Sequence, residues 1–599
     1  FFEYPGPIFA PLHFGRVPPD DPTFWQDTEL AGFNAIHVEV PFFDEADANG
    51  EIIDYARCDV EVALAAKHRK RIIFDPLSFN SHWRWRWAGQ QSNLNTEFRD
   101  RFAEALGRLA ARFKDDPTVA AMFVTPLSVG YGSFAVDESE LGRQGWQRFV
   151  REELGLSLEE AAQRYGQAMA AWSELPLPKP GKQGELNLGP IWPDYLRFFV
   201  QSHYEFLRPV IRGIRAAAPD MPLLMRGMYL DVGIHMNLAA EFANVAPHCE
   251  CVETTVDTEA YFRGLAQTFG VPISAENGWP KCPRGPLRMA LGDYLLGGYA
   301  AYFHSFGGPV QLRRGVLDFY QAQKAARVLR TARYPRTNLA ILIPDTTLYA
   351  SNPPSFFALE AKPHLEFAME RSGFAFRAVS AQFPKLDGLS IIVDDGQNRV
   401  LTAECRRQLV EWVHKGGTLV AFPDTGRHDF AGTGASLADA LGVSFVLPEG
   451  QSHAITPCGD GRVVAFSPSL LTGRFAVDPA LWETFEAVLA ELGAPRDVIV
   501  QPRVNTASFR GDGKTYVVLC NKSPEYVGAY FRESNLAAVE AGLPDLDLIV
   551  APTFPVSRVR DVLTDTELPI ADGKVSIHLP KTTYAVLEFQ YEEGATHEH

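Results

Sequence analysis

Cysteine is scarce in this sequence and nothing pairs it. Seven residues, at positions 58, 249, 251, 282, 405, 458 and 520, are scattered and odd in number, which argues against a disulfide scaffold. No apolar run approaches the ~20 residues of a membrane span, so no membrane partner is expected. No Lys/Arg run forms a basic stripe and the formal net charge is −17, so nucleic acid is not expected as a partner either. A search for a serine-hydrolase elbow or a His-Glu-x-x-His zinc motif finds neither. His248, Cys249, Cys251 and Cys282 contain no C-x-x-C pair, and cysteines two apart on a strand share one face as ordinary buried packing. No metal and no cofactor is expected. Internal repeats and low-complexity blocks are also missing.

What remains is an ordinary globular composition, 46% hydrophobic and 22% charged. Aromatics make up 12%, which suits a carbohydrate binder or any large core. At 599 residues the chain exceeds one compact core, so two to four domains are expected. It begins at Phe1 rather than Met, which leaves open a leader removed or not included. The compartment, cytoplasmic or periplasmic, stays open with it.

Eight apolar segments alternate with amphipathic helical stretches, at 8–14, 35–42, 71–79, 120–128, 222–230, 249–257, 272–279 and 300–308. Strand and helix repeated eight times predict a (β/α)8 TIM barrel over residues 1–336. The largest insertion follows strand four, from Tyr131 to about Pro193. Segments 339–345, 374–379, 388–395 and 417–423, with helices near 357–372 and 403–415, predict a flavodoxin-like α/β domain over 337–496. That region lacks the glycine-rich loop that would hold a phosphate. Short alternating runs at 497–501, 514–521, 556–562, 574–579 and 584–590 predict a C-terminal β-sandwich of about seven strands over 497–599. The fold class is α/β, with the sandwich appended.

Barrel enzymes keep their chemistry at the C-terminal ends of the strands. The polar residues there, in strand order, are His13, Glu39, Asp75, Ser128, Arg226, Glu253, Glu276 and His304. Two carboxylates across such a mouth are what glycosidic cleavage needs, one to protonate the leaving oxygen and one to attack or to activate water. A single such carboxylate is as often half of a buried ion pair, and Arg226 alone could be the counterion of Glu253 or Asp75. Their joint occurrence at one end carries the site. Glu276 is followed by Asn277, Gly278 and Trp279, a turn with an aromatic platform for a sugar ring. The loop after strand three, Ser81-His-Trp-Arg-Trp-Arg-Trp87, offers Trp83 and Trp85 for stacking, or packs its tryptophans beneath itself.

With these features in order, the chain resembles the retaining β-glycosidases built on a barrel, and family 42 of the glycoside hydrolases most. The resemblance runs over nearly the whole chain: the barrel, the helical insertion at 143–172, the segment "PISAENGW", the 298–308 strand, the α/β domain and the C-terminal β-domain. It implies that Glu276 is the nucleophile. In that family the acid/base glutamate follows an asparagine, in an Asn-Glu-Tyr-Gly pattern at the end of strand four. Here Ser128-Val129-Gly130-Tyr131-Gly132 stands there: Tyr131 and Gly132 fit, and Val129 and Gly130 replace Asn and Glu. The family's zinc-binding cysteine cluster has no match either.

Another carboxylate is therefore expected to give the proton: Glu253 first, on the strand beside Glu276, then Asp75, then Asp137, Glu138 or Glu140 in the insertion. His13, Glu39, Asp75, Trp83, Trp85, Ser128, Tyr131, Arg226, Trp279 and His304 are expected to bind substrate. The expected activity is hydrolysis of a β-linked glycoside or oligosaccharide by double displacement. Two alternatives stand beside it: a substrate with a good leaving group or its own acid, and a glycan-binding pseudoenzyme without turnover. Resemblance to the family also implies a homo-oligomer, a trimer formed through the α/β domain.

Overall fold

A computed structural model gives the fold; the residues it describes are 8–13, 22–43, 51–76, 94–124, 136–179, 186–226, 243, 248–255, 259–277, 284–299, 301–305, 309–350, 365–430, 434–471, 478–522 and 542–591. Eight parallel strands close into a barrel in sequence order. They are β1 (Ile8–His13), β2 (Ala35–Glu39), β3 (Arg71–Asp75), β4 (Val119–Val124), β5 (Leu223–Arg226), β6 (Cys251–Thr255), β7 (Ile273–Asn277) and β8 (Ala301–Ser305). The eight expected segments contain these eight strands, save Val119 at the start of β4, and every strand ends earlier than its expected segment.

Strand alternation sorts the two faces. Ile36, Val38, Ile72, Phe74, Met122, Met225, Val252 and Ala275 pack outward against the helices. Ala35, Ile73, Ala121, Phe123, Leu224 and Cys251 pack on one another inside the barrel. With both faces buried, these strands read as near-continuous apolar runs. One irregularity breaks the pattern: Ile72 pairs Val119 while Ile73 pairs Ala121, so Ala120 is an extra residue, a β-bulge.

The surrounding helices start where the sequence caps them. Asn95 Oδ1 accepts from Phe98 N at 3.1 Å and opens the helix Thr96–Phe113. The insertion after β4 folds around Trp146, which is stacked on Phe149 and edge-on to Tyr195. Its helix Leu158–Tyr165 carries a Ser157/Glu160 capping box, and Arg164 Nε ties it to Asp194 Oδ2 at 2.7 Å.

Beyond the barrel, five parallel strands, Arg377–Ser380, Leu339–Ile343, Ile391–Asp394, Thr418–Ala421 and Gly461–Phe466, lie side by side in that order. Numbered along the chain this is the 2-1-3-4-5 order of flavodoxin-like sheets. The antiparallel edge strand His453–Cys458 and the helix Pro479–Glu491 were missed in the sequence reading. That edge strand leaves most of its residues half-buried or exposed, so it shows no apolar run. The chain ends in a four-stranded and a five-stranded antiparallel sheet, which share one core. Among the described residues the two sheets have nine strands where about seven were expected and five were placed; Asn505–Gly511 and Leu546–Pro552 were also missed, and Thr566–Leu568 and Ile570–Ala571 are too short to register as periodic runs.

Buried polar contacts join the three parts. Arg263, on the barrel helix Glu259–Phe269, is 3.0 Å from Glu370 Oε1 on the helix Leu365–Arg371 of the α/β part. The other Glu370 oxygen accepts from Asn505 Nδ2 of the sandwich at 2.6 Å. Lys522 and Asp293 make a second buried pair at 2.6 Å between sandwich and barrel. At Gly264 the approach is closer still: a Cβ there would collide with the Ala378 backbone nitrogen.

Candidate active site

The strand-end residues singled out from the sequence and described here lie in the C-terminal half of their strands, except Glu253 at the middle of β6; His13 and His304 fall at the register of Val38 and Asn277, the outward set, and not at that of the two glutamates. Glu276 is the fourth residue of β7, at the register of Thr255 on β6 and Phe303 on β8. Glu253 is the third residue of β6, at the register of Arg226 on β5 and Ser274 on β7. Arg226 and His13 are the last residues of β5 and β1. His304 is paired with Asn277 and Pro11, and His13 with Val38.

The backbone relates the two glutamates. Ser274, the register partner of Glu253, comes two residues before Glu276 on the same strand and is fully buried. Glu253 and Glu276 are therefore diagonal neighbours in one alternating set, with Cα atoms about 8 Å apart from the usual strand spacing and rise. Two residues before Glu253, Cys251 belongs to the apolar plug inside the barrel, and two before Arg226 so does Leu224. The polar positions thus begin one layer above the plug, toward the mouth.

On the opposite wall, Glu39 ends β2, half-buried, and is paired in register with Asp75 at the end of β3. Asp75 has no exposed surface, and its Oδ2 lies 2.8 Å from His37 Nε2. The His37 ring is itself buried, edge-on to Phe123 at 5.0 Å. The sequence reading had missed His37. The signal was present: alternation from Glu39 back to residue 37 puts an imidazole on the inner face.

The candidates in the insertion have local structural work. Asp137 Oδ1 accepts from Ser139 N at 3.1 Å. Glu140 sits in the first turn of a helix capped by Ser139, and its Oε1 accepts from Gln144. Trp83, Trp85, Ser128, Tyr131 and Trp279 lie outside the described residues. Cys251 is buried, and burial pushes the Cys249 thiol up to about 12. Among the described residues no cluster of His, Cys, Asp or Glu could hold a metal.

The family model Glyco_hydro_42, described as beta-galactosidase, matches residues 79–259. The match makes that stretch similar to glycoside hydrolase family 42. It runs from just after β3 to just beyond β6, and so includes Arg226 and Glu253 but not Glu276. No curated protein sequence matches the chain. Solved structures extend the likeness over the rest of it. A beta-galactosidase from Bacillus circulans sp. alkalophilus superposes with a TM-score of 0.72 at 14% identity, covering 98% of this chain and 99% of that one. A family-42 beta-galactosidase from G. stearothermophilus, a catalytic mutant, gives 0.73 at 13% identity over 98% of each chain. A family-42 exo-carrageenase from Bacteroides ovatus gives 0.61 at 10% identity over 98% of this chain and 82% of that one. At such identities the likeness is one of fold. The shared architecture, barrel with α/β and β-rich parts, is the setting in which the two glutamates stand.

Proposed function

We propose that the chain hydrolyses a β-linked glycoside by double displacement, with Glu276 as nucleophile and Glu253 as acid/base. The observation that carries this reading is the position of Glu276 near the C-terminal end of β7 in a closed barrel, just beyond the stretch 79–259 that the family-42 model matches. There a carboxylate attacks the anomeric carbon and forms a glycosyl-enzyme, and water then releases the sugar with retained configuration. The second carboxylate first protonates the leaving oxygen and then takes a proton from the water. Retention needs the carboxyl groups ~5–5.5 Å apart, and inversion ~6.5–9.5 Å. Diagonal positions on neighbouring strands bring two glutamates within reach of the first range.

Asp75 is better suited to holding His37 and the wall beneath Glu39 than to giving a proton, because it is fully buried against that ring. The similar proteins are named for galactosides and for carrageenan, which supports a galactose-type sugar, neutral or sulfated, as the first substrate class to try. Oligomerisation as a trimer through the α/β part is proposed from the family resemblance. Light scattering checks it, and a monomer would remove it.

Among the described residues no helix is long and apolar enough to cross a membrane. The deciding experiment is product release from β-galactosides, other β-glycosides and carrageenan oligosaccharides, with anomeric configuration followed by NMR, in wild type and Glu276→Gln. Turnover lost in the variant supports the reading. Sugar binding without product from any substrate would favour the second reading, a glycan-binding protein lacking the strand-four acid.

A further inference from the structure

A cavity of about 910 Å³ opens at the other end of the barrel. Its wall includes Val271, Pro272 and Ile273, which lead into β7, and Gly298 and Tyr299, which lead toward β8. Ile273 and Glu276 are three residues apart on one strand, roughly 10 Å along it. The cavity is thus separate from the mouth that carries Glu276. Its size falls in the ~300–1,000 Å³ range of small-molecule sites.

Its charge is one-sided. Arg263, Arg327, Arg330 and Arg333 line it, and none of its lining residues is acidic. The chain as a whole carries −17, so this face is a local reversal. Arg263 is already balanced by Glu370, and Asp512 accepts from the lining residue Thr331 Oγ1 at 2.7 Å. Arg327 and Arg333 are exposed, and among the described residues neither is in an ion pair. A bland reading exists: Arg327 ends the helix Pro309–Leu329, where a cation offsets the helix dipole. Arg333, beyond the helix, donates Nη1 to the carbonyls of Arg330 and Ala332 at 2.9 and 3.1 Å, which holds the guanidinium in place at the cavity without neutralising its charge.

Two further features suit an organic ligand better than a bare ion. Tyr299 and Phe509 supply ring surface. Gly298 keeps the floor open: its φ is +63°, and a Cβ there would come within 2.6 Å of the Phe509 ring.

We propose that this cavity binds a small anionic sugar, its phosphate, sulfate or carboxylate held by the exposed Arg327 and Arg333 and its ring lying in the cavity. Guanidinium groups suit such anions because they pair with them through two parallel hydrogen bonds. Occupancy would bear on the segments that start β7 and β8. The proposal does not depend on the catalytic assignment.

The test is isothermal titration calorimetry on the full chain with glucose 6-phosphate, glucose 6-sulfate, glucuronate, inorganic phosphate and neutral glucose. At least one anionic sugar is expected to bind, with glucose giving no heat at the same concentrations. Which of the three binds best identifies the anion. The double variant Arg327→Gln/Arg333→Gln is expected to weaken that binding at least tenfold with its melting temperature unchanged, as both residues are exposed. Glu276→Gln is expected to leave it intact. No heat from any anionic sugar, or full affinity in the double variant, overturns the proposal. Loss of binding in Glu276→Gln moves the ligand to the barrel mouth and overturns it too. Inorganic phosphate binding as tightly as the sugar phosphate overturns the sugar part.

Discussion

The Nε2 atom of His37 and the Oδ2 atom of Asp75 are 2.8 Å apart, on neighbouring strands, with both side chains buried. The contact crosses the β2–β3 register one step below Glu39, because Asp75 is paired with Glu39 and His37 with Ile73. It fastens the wall that faces the two glutamates of β6 and β7.

Asp75→Ala is therefore expected to cost about 1–3 kcal/mol, the usual penalty for stripping a buried polar group of a partner. Urea unfolding measures it, and adding His37→Leu should cost less than the sum of the two single changes. Turnover lost by Asp75→Ala beyond the unfolded fraction, at unchanged stability, would instead give Asp75 a part in the reaction.

Glu253→Gln separates the proton donor from the nucleophile. On alkyl glycosides turnover is expected to fall ~10²–10⁴-fold, the usual contribution of a general acid. A nitrophenyl leaving group needs no proton, so its cleavage should fall far less, and added azide should trap the glycosyl-enzyme with retained configuration. Equal small losses on both substrates would place the acid elsewhere.

Asp345, in the α/β part, gives a pH signature outside the barrel. Burial raises its carboxyl to about 6, against hydrogen bonds from Ser380 Oγ and Ala381 N. Between about pH 4 and 6 the folded chain holds a proton that the unfolded chain has lost. Stability therefore rises as pH falls from neutrality through 6, and at pH 8 the buried anion costs about 3 kcal/mol. Asp394, also raised by burial, acts in the same direction. Asp345→Asn is expected to be the more stable protein at pH 8 and to lose much of the rise between pH 7 and 5. Identical pH profiles for the two proteins would refute this.

Glu370→Ala removes the carboxylate shared by Arg263 and Asn505. Breaking a buried pair from one side leaves the other charge uncompensated, at a cost of about 3–5 kcal/mol. Calorimetry is expected to show the single melt broadening or splitting, since the contact spans all three parts. An unaltered melt would mean that the apolar seams alone hold them together.

How far the sequence carried the fold depended on burial. The eight barrel strands are buried on both faces, so apolar runs such as Arg71-Ile-Ile-Phe-Asp75 announced them. Their ends did not show, because apolar residues such as Pro76 and Leu77 carry the run past the last ladder position at Asp75. The edge strand His453–Cys458 was invisible because its residues are largely half-buried or exposed, and the two-residue strand Ile570–Ala571 has no period to detect. For the site, position along each strand was legible, and contact between side chains was not. Residue type and spacing flagged Asp75 as a mouth carboxylate. Only its distance from His37 gives it a partner, since that pairing depends on how β2 and β3 are aligned.

The bare backbone of Gly264 against Ala378 has a consequence for how such a molecule can vary. Two main chains that touch leave no room to absorb a change on either side, as a layer of side chains would. The helix bearing Gly264 and the strand bearing Ala378 can drift in sequence only together, and a barrel from one homologue grafted onto the α/β sheet of another will fit only if both bring a glycine to that spot.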